Sequence, residues 1–156
     1  MQTVRDADGD TYLLVKRSAE SSRVRDPTTG AERYVANDRL RVVDGESPLA
    51  TAASGVPASV RRTMRAVHDD RSLGLLAVVV DEGPLSVLEL LETADMCESD
   101  LHGTVTELRA AGLIDEVDVG GRRGYAATAP ASEAIGLLRG GSDASGAAER
   151  DRSEDE

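Results

Sequence analysis

The first 46 residues combine short apolar or alternating runs with turn-forming residues. Residues 12–15 form a compact run that favours β-structure, and residues 23–25 and 39–42 alternate arginine with apolar side chains. A period of two is typical of half-buried strands. Turn signals separate the runs at Asp8-Gly9, at residues 26–30 and at Asn37-Asp38. Residues 1–46 are therefore predicted to form a small antiparallel β-meander of four or five strands.

The two faces of this predicted sheet differ in chemistry. Val24, Leu40 and Val42 are expected on one face, which the helical part of the chain should cover because so small a sheet is marginal alone. The other face could bind phosphates or an acidic partner surface, or it could simply be solvated. Neighbouring acidic residues favour a solvated surface. Four arginines are expected there: Arg23, Arg25, Arg39 and Arg41.

From residue 47 the apolar period becomes helical. Ser47-Pro48 supplies a cap and a first-turn proline, which predicts a short helix to residue 54. Pro57 opens a second helix, so residues 47–69 are predicted to be linking helices. A third helix is predicted over 70–81, and Gly83-Pro84 ends it. The apolar stripes of the second and third helices are Val60, Met64 and Val67, and Leu73, Leu76 and Val80.

The part of the chain from residue 85 to residue 139 is the most informative. A short strand at 85–87 precedes a helix, a break at 94–98, and a second helix that Ser99 caps and Gly112 ends. A strand, a turn at residues 120–124 and another strand follow, and Pro130 begins a last helix. The apolar stripes are Leu101, Val105 and Leu108 in the second helix, and Ala134, Ile135, Leu137 and Leu138 in the last.

Helix, short strand, helix, tight turn, helix, β-hairpin and helix is the element order of a winged helix-turn-helix. Residues 70–139 resemble that family, in the manner of small regulators related to the arsenic-repressor and multiple-antibiotic-resistance groups. The most specific match is residues 108–114, which resemble the exit of the recognition helix into the wing, with Gly112 as the left-handed residue. The whole chain also resembles a group of halophilic archaeal proteins with an N-terminal strand-rich segment, and that resemblance implies no activity.

The resemblance implies an α+β protein whose residues 70–140 form a winged helix-turn-helix. It implies a transcriptional regulator that binds double-stranded DNA as a homodimer. Arg122 and Arg123 at the wing tip would contact the DNA backbone or the minor groove. The residues implied to enter the major groove are Ser99, Asp100, His102, Gly103 and Thr106, with Arg109 near the helix end. The expected dimer surfaces are the Ala-rich helices before residue 69 and the last helix, through Ile135, Leu137 and Leu138.

The charge of the implied recognition helix departs from the family pattern. This helix has no lysine, and Glu98, Asp100 and Glu107 would repel phosphate. Affinity for DNA would have to come from the wing arginines, from a second subunit, or from the arginines at residues 61, 62 and 65. The alternative is a regulatory adaptor that uses the same module to bind another protein.

The composition indicates a protein adapted to molar salt. Of the 18 basic residues, 17 are arginine and one is Lys16, there is no Phe or Trp, and the net charge is −11. Acidic surfaces and small apolar side chains keep proteins soluble at high salt. The alternative is drift in a GC-rich genome. Residues 141–156 have no apolar side chain larger than alanine, which predicts a disordered acidic tail.

Several classes of protein and site are not expected. No run of about 18 apolar residues is present and the first ten residues have no signal-peptide core, so we expect a cytoplasmic protein that does not enter a membrane. The lone cysteine, Cys97, is consistent with a reducing compartment.

Neither catalysis nor a bound cofactor is predicted. No catalytic residue set is visible, so we expect no enzyme. Cys97 and His102 make half a zinc site at most, so no metal is predicted, and Cys97 is expected to be a small buried turn residue. His68 is expected at the surface or as a cap. Three aspartates at residues 6, 8 and 10 are explained by an Asp-Gly hairpin turn rather than by a calcium loop.

Overall fold

The structure, a computed structural model, describes residues 1–140 and has an α+β fold. The described residues contain two antiparallel sheets and six α-helices, and they divide into two compact units, Met1–Ala58 and one that begins at Ser59. The predicted α+β class is confirmed. The segment boundaries expected after residues 46 and 69 stay predictions, and the tail predicted for residues 141–156 lies outside the described residues.

The first unit contains a five-stranded antiparallel sheet with the strand order β4-β3-β2-β1-β5. Its strands are β1 (Gln2–Arg5), β2 (Thr11–Arg17), β3 (Ser21–Arg25), β4 (Glu32–Ala36) and β5 (Arg41–Val42). The first four strands follow the predicted meander. However, β5 pairs with β1, where Val42 lies opposite Val4, and not with β4. The prediction of a simple meander is therefore wrong at its last strand.

Asn37 redirects the chain between β4 and β5. A 3₁₀ turn at Asn37–Arg39 replaces the first residue of the strand predicted over 39–42. The side-chain amide of Asn37 donates to the Ser18 carbonyl at 2.8 Å, and its oxygen accepts from the Ser22 hydroxyl at 2.6 Å. These bonds hold the chain after β4 against the β2–β3 turn, and the chain then crosses to the opposite edge of the sheet, where β5 forms.

The predicted apolar face of this sheet is confirmed. Val4, Tyr12, Leu14 and Val24 form a buried cluster, with Val35, Leu40 and Val42 packed against it. The helix α1 (Pro48–Ser54), which Ser47 caps as predicted, contacts β1 and β2 from the other face. There the hydroxyls of Thr3 and Thr51 lie 2.7 Å apart in a buried hydrogen bond. The expectation that helices cover the valine-bearing face is thus wrong for α1.

The second unit combines helices with a three-stranded sheet in the order β6-β8-β7. One core, whose largest fully buried side chains include Leu76, Leu90 and Leu108, holds these elements together. Its elements are α2 (Ala58–Ala66), α3 (Asp70–Glu82), β6 (Leu85–Ser86), α4 (Val87–Ala94), α5 (Glu98–Ala110), β7 (Ile114–Val119), β8 (Arg122–Ala127) and α6 (Ala129–Leu138).

Two capping boxes begin α3 and α4. Asp69 Oδ1 accepts from the Ser72 backbone N–H at 2.8 Å, and Ser72 Oγ accepts in return from the Asp69 N–H. At α4, Ser86 Oγ accepts from the Glu89 N–H, and Glu89 Oε2 accepts from the Ser86 N–H at 2.8 Å. These bonds lower the pKa of Asp69 and of Glu89 because they stabilise the charged carboxylates.

The cap of α5 is Cys97 and not Ser99. Cys97 Sγ accepts from the Asp100 N–H at 3.4 Å, so the helix begins at Glu98 and Ser99 lies inside its first turn. Cys97 is also exposed, and the prediction of a buried turn residue is wrong. A cap needs a side-chain acceptor three residues before a free N–H, and the thiol satisfies that requirement two positions before the predicted cap, Ser99.

Gly112 ends α5 as predicted. Its φ of 73° lies in the left-handed region, the Leu113 N–H donates to the Leu108 carbonyl at 3.0 Å, and the Gly112 N–H donates to the Arg109 carbonyl at 2.9 Å. These two bonds are those of a Schellman motif. The Thr128 hydroxyl adds a bond to the Gly112 carbonyl at 2.7 Å. The chain is thereby directed from the helix into β7 over three residues.

The predicted apolar stripe of α2 is wrong at Met64, which is 67% exposed. The buried residues are Ser59, Val60, Thr63 and Ala66. Because the Thr63 hydroxyl donates to the Ser59 carbonyl at 3.0 Å, its polar group is satisfied within the helix and can be buried. The buried face therefore includes small polar residues that a purely apolar pattern misses.

The buried faces of α3 and α6 also differ from the predicted apolar stripes. On α3, Leu76 is buried as predicted, but Leu75 and Val79 accompany it instead of Leu73. Val80 is only partly buried. On α6 the buried residues are Ala131, Ala134 and Ile135, whereas Leu137 and Leu138 are exposed.

Candidate nucleic-acid interface

The outward face of α5 carries the candidate groove residues. Leu101, Val105 and Leu108 are buried, which confirms the predicted apolar stripe. All six candidate residues of this helix are therefore on the side that faces solvent. They are Ser99, Asp100, His102, Gly103, Thr106 and Arg109.

The charge of this face is acidic. Glu98 and Asp100 lie in the first turn of α5, where carboxylates are favoured by the helix dipole, and Arg109 is the basic residue of the last turn. Glu107 Oε2 lies 3.6 Å from Nε2 of His68, so the exposed imidazole of His68 lies beside a carboxylate. The Arg62 guanidinium adds a positive charge beside the end of α5, since a Cβ added to Gly112 would lie 3.1 Å from its Nη1.

A two-glycine turn joins β7 to β8. Gly120 and Gly121 both have positive φ, 60° and 82°, and Val119 pairs with Arg122 across the turn. This is the geometry of a tight hairpin turn, which needs left-handed residues at both central positions. Asp118 Oδ1 accepts from the Gly121 N–H at 2.9 Å and stabilises the turn. The predicted hairpin is confirmed, but the turn predicted over residues 120–124 is wrong in length. It consists of Gly120 and Gly121 alone, and Arg122 and Arg123, expected at the tip, are the first paired residues of β8.

Glu116 brings two of the candidate arginines together. Its Oε2 atom lies 3.3 Å from Nη1 of Arg109 and 3.2 Å from Nε of Arg123. Arg123 also donates to the Tyr125 hydroxyl at 2.8 Å through Nη2, and these interactions raise its pKa, the hydrogen bond to Tyr125 most of all. We call Arg109, Glu116 and Arg123 the Glu116 cluster. One carboxylate thus compensates two of the three candidate arginines.

Arg122 differs from Arg123 in its environment. It is adjacent to Arg123 on a strand and therefore projects to the other face of the hairpin. Within residues 1–140 it forms no ion pair, although its charge contributes to the lowered pKa of Glu89. Arg122 is therefore the candidate cation that is free to meet a new anion.

A small cavity of 80 Å³ lies where α5 meets the hairpin. His102 from α5 and Arg123 from β8 both line it, beside the buried Leu101 and Tyr125. The structure thus brings the helix candidates and the hairpin candidates to one continuous region of the second unit. Sequence reasoning named these residues but missed Glu116, which the strand register could have indicated because Glu116 pairs with Tyr125.

Three of the four arginines predicted for the second face of the first sheet form ion pairs, whereas Arg41 is exposed and forms none within residues 1–140. Arg23 and Arg25 both contact Glu32, at 3.3 and 2.5 Å, and Arg39 contacts Asp8 at 3.0 Å. Arg25 lowers the pKa of Glu32 through its hydrogen bond. These pairs agree with a solvated sheet surface more than with a phosphate track.

The aspartates near the N-terminus form a turn, as expected. Asp6 Oδ1 accepts from the Asp8 and Asp10 N–H groups at 3.0 and 2.9 Å, and Gly9 has a φ of 93°.

In the part of the chain that the structure describes, no three His, Cys, Asp or Glu side chains are grouped so that they could hold a metal ion. Over the same residues, none of the helices has the length and apolar character needed to cross a membrane.

A family model described as "Family of unknown function (DUF7346)" matches residues 1–139. The chain belongs to this family. No curated protein and no solved structure matches the chain. The family match includes both compact units, so the five-stranded sheet and the helical unit are parts of one family-defining sequence.

The end of the family match coincides with a structural contact. Arg139, its last residue, binds Asp81 through two parallel contacts of 2.8 Å and thereby joins the end of α6 to the end of α3. Its hydrogen bond lowers the pKa of Asp81. The family match therefore extends to the end of α6, the last helix of the second unit.

Proposed function

We propose that this protein is a cytoplasmic, DNA-binding transcriptional regulator that uses residues 70–140 as a winged helix-turn-helix and acts as a homodimer. The observation that carries the proposal is the succession α3, β6, α4, α5, β7, β8 and α6, with the sheet order β6-β8-β7. This is the order expected of that module. The short strand between the first two helices pairs with the second strand of the hairpin, and the hairpin follows the third helix.

The outward face of α5 is suited to close approach. Ser99, Gly103 and Thr106 are small, and a Cβ added to Gly103 would meet nothing within 4 Å, so at these three positions no bulky side chain would keep a groove away. Asp100 can accept from cytosine N4, and His102 can donate to a base edge. These contacts would read bases without supplying much affinity.

Affinity would come from the hairpin and from a second copy. Arg122 is exposed and unpaired within residues 1–140, so it can bind a phosphate without first breaking an ion pair. Arg123 can do so only if it leaves Glu116. Since non-specific binding is mostly phosphate neutralisation, one copy should bind poorly, and a two-fold dimer would place two α5 helices about 34 Å apart.

The exposed end of α6 supports a dimer surface, but a smaller one than expected. Leu137 and Leu138 are 44% and 52% exposed, whereas Ile135 is buried in the core of its own unit and is not available to a partner. Leu49 and Met64 are further exposed apolar residues on α1 and α2.

Chromatin immunoprecipitation with sequencing from native cells tests the proposal. Wild type should give sharp palindromic peaks, and the Arg122→Ala, Arg123→Ala double variant should lose them. Arg17→Ala, which removes an exposed arginine from β2 in the first unit, is the control and should keep them. Absence of peaks for the wild type would reject the DNA-binding proposal.

The Glu116 cluster favours a second candidate function, a regulatory adaptor that binds another protein. A surface on which Arg109 and Arg123 are already neutralised, beside the carboxylates of α5, is better suited to a protein partner than to phosphate. Co-purification of one partner without chromatin peaks would support the adaptor. Light scattering in molar KCl separates the two in a second way, because a strict monomer argues for the adaptor.

A further inference from the structure

A cavity of 240 Å³ lies in the second unit between α3 and α4. Its floor is the core, since Leu75 and Leu90 are 4% and 0% exposed. Val78 and Met96 contribute further apolar wall. An engineered apolar cavity of about 150 Å³ admits benzene, so this space admits a body of that size with a polar group attached.

Gly74 keeps this cavity open. It lies in the middle of α3 and lines the cavity, and a Cβ added there would meet nothing within 4 Å. Glycine is a poor helix former, so Gly74 makes α3 less stable than an alanine at the same position would. A side chain at residue 74 would narrow the cavity without a clash.

One charged side chain lines the cavity, and it is cationic. Arg71 donates through Nη2 to the Asp95 carbonyl at 3.3 Å and forms no ion pair within residues 1–140. Asp69 is near enough for Arg71 to lower its pKa, but that carboxylate is committed to the Ser72 capping box. Because a guanidinium has five N–H donors, Arg71 can bind a further acceptor while it keeps its bond to Asp95.

We propose that this cavity is a binding site for a small carboxylate with an apolar body of about five to seven carbons. The apolar body lies against Leu75, Leu90 and Met96, and the carboxylate accepts hydrogen bonds from Arg71 at the entrance. An apolar pocket with one convergent polar group is the usual form of a small-molecule site. The charge of Arg71 selects an anion over a neutral compound of the same shape.

The chain's own acidic segment is not the occupant. Residues 141–156 contain alanine as their largest apolar residue, so they offer no apolar body for this space.

The site also lies next to the turn between α4 and α5, where Asp95 has the left-handed φ of 46°. A ligand at Arg71 would therefore contact the segment that orients α5, a consequence that rests on the proposed function, whereas binding itself does not.

The test measures binding directly, with hexanoate as the probe. Methyl ¹³C–¹H NMR of the full chain is recorded during titration with hexanoate, hexanamide and acetate, in KCl at two concentrations at which circular dichroism shows the protein folded. Hexanoate should shift the methyl signals of Leu75, Leu90 and Met96 in a saturable way. It should bind about tenfold more tightly than the other two compounds, an advantage that decreases as KCl rises.

Three variants locate the site. Gly74→Leu should abolish the saturable shifts, and Gly74→Ala, which adds one carbon, should retain them. Arg71→Gln should bind hexanoate no better than hexanamide. Unchanged methyl signals outside the cavity show that each variant is folded, and the ligand series on wild type needs no variant. Equal affinities for hexanoate and hexanamide, shifts confined to other methyl groups, or undiminished binding by Gly74→Leu would each overturn the proposal.

Discussion

Removal of the Glu116 carboxylate should strengthen binding to DNA. Glu116→Gln keeps the size of the side chain and removes the charge that contacts Arg109 at 3.3 Å and Arg123 at 3.2 Å. Both arginines would then be free to meet phosphates without breaking an ion pair. Under the adaptor hypothesis the same change would not create measurable DNA binding.

The magnitude follows from the number of cations released. Each arginine that reaches a phosphate steepens the slope of log K against log salt by about 0.9, so two released arginines steepen it by about 2 for each protomer. The same relation predicts binding that is about twentyfold tighter per protomer at 0.2 M KCl, hence on the order of several hundredfold for a dimer, and little difference near 1 M. The stability of the fold should hardly change, because exposed ion pairs of this kind contribute about 0–1 kcal/mol.

Fluorescence anisotropy with duplex DNA at several KCl concentrations measures both the affinity and the slope. Asp115→Asn is the matched control, since it removes the same charge from the neighbouring strand position, and Asp115 forms no ion pair within the described residues. The control should leave the slope unchanged. Equal effects of the two substitutions would refute the reasoning, because the gain would then come from net charge and not from the release of Arg109 and Arg123.

Three further predictions concern stability. Leu108→Ala, at a side chain that is 1% exposed, should cost about 2–5 kcal/mol in urea unfolding. Gly124→Ala would place a Cβ 2.5 Å from a backbone oxygen of β6 and should cost about 1–3 kcal/mol, whereas Gly136→Ala on α6 meets nothing and should not destabilise. Because the folded pKa values of Asp69 and Glu89 are lowered, their stabilisation is full above about pH 5 and is lost as pH falls through the folded values. Asp69→Asn should therefore flatten the decrease in Tm below pH 4, and an unchanged decrease would contradict that cause.

Local signals in the sequence predicted those features that few residues determine. The end of α5 depends on Gly112 and on bonds to residues at most five positions away, so its position could be predicted. The hairpin likewise depends on two glycines at its turn. Burial of Leu108 follows from helical spacing alone.

Features that depend on distant residues could not be predicted in the same way. The pairing of β5 with β1 joins residues 4 and 42, and the bonds of Asn37, which precedes β5, are to residues at a different turn of the sheet. The contact between Arg109 and Glu116 requires the packing of α5 on β7. Cys97 and Ser99 are both able to cap, and the sequence around them does not distinguish the two, whereas in the structure Cys97 is the cap.

The net charge of the chain distinguishes between the two candidate functions less well than the composition suggests. A net charge of −11 would repel DNA at low salt, but in molar salt the Debye length is about 3 Å, and charges beyond contact distance are screened. Attraction between arginine and phosphate is weakened in the same way, so specific contacts at short range have to supply more of the affinity. Small exposed side chains on α5, such as Ser99 and Gly103, permit such contacts with a groove. At any salt concentration the Glu116 cluster acts at contact distance, because Arg109 and Arg123 have to leave Glu116 before they can bind another anion.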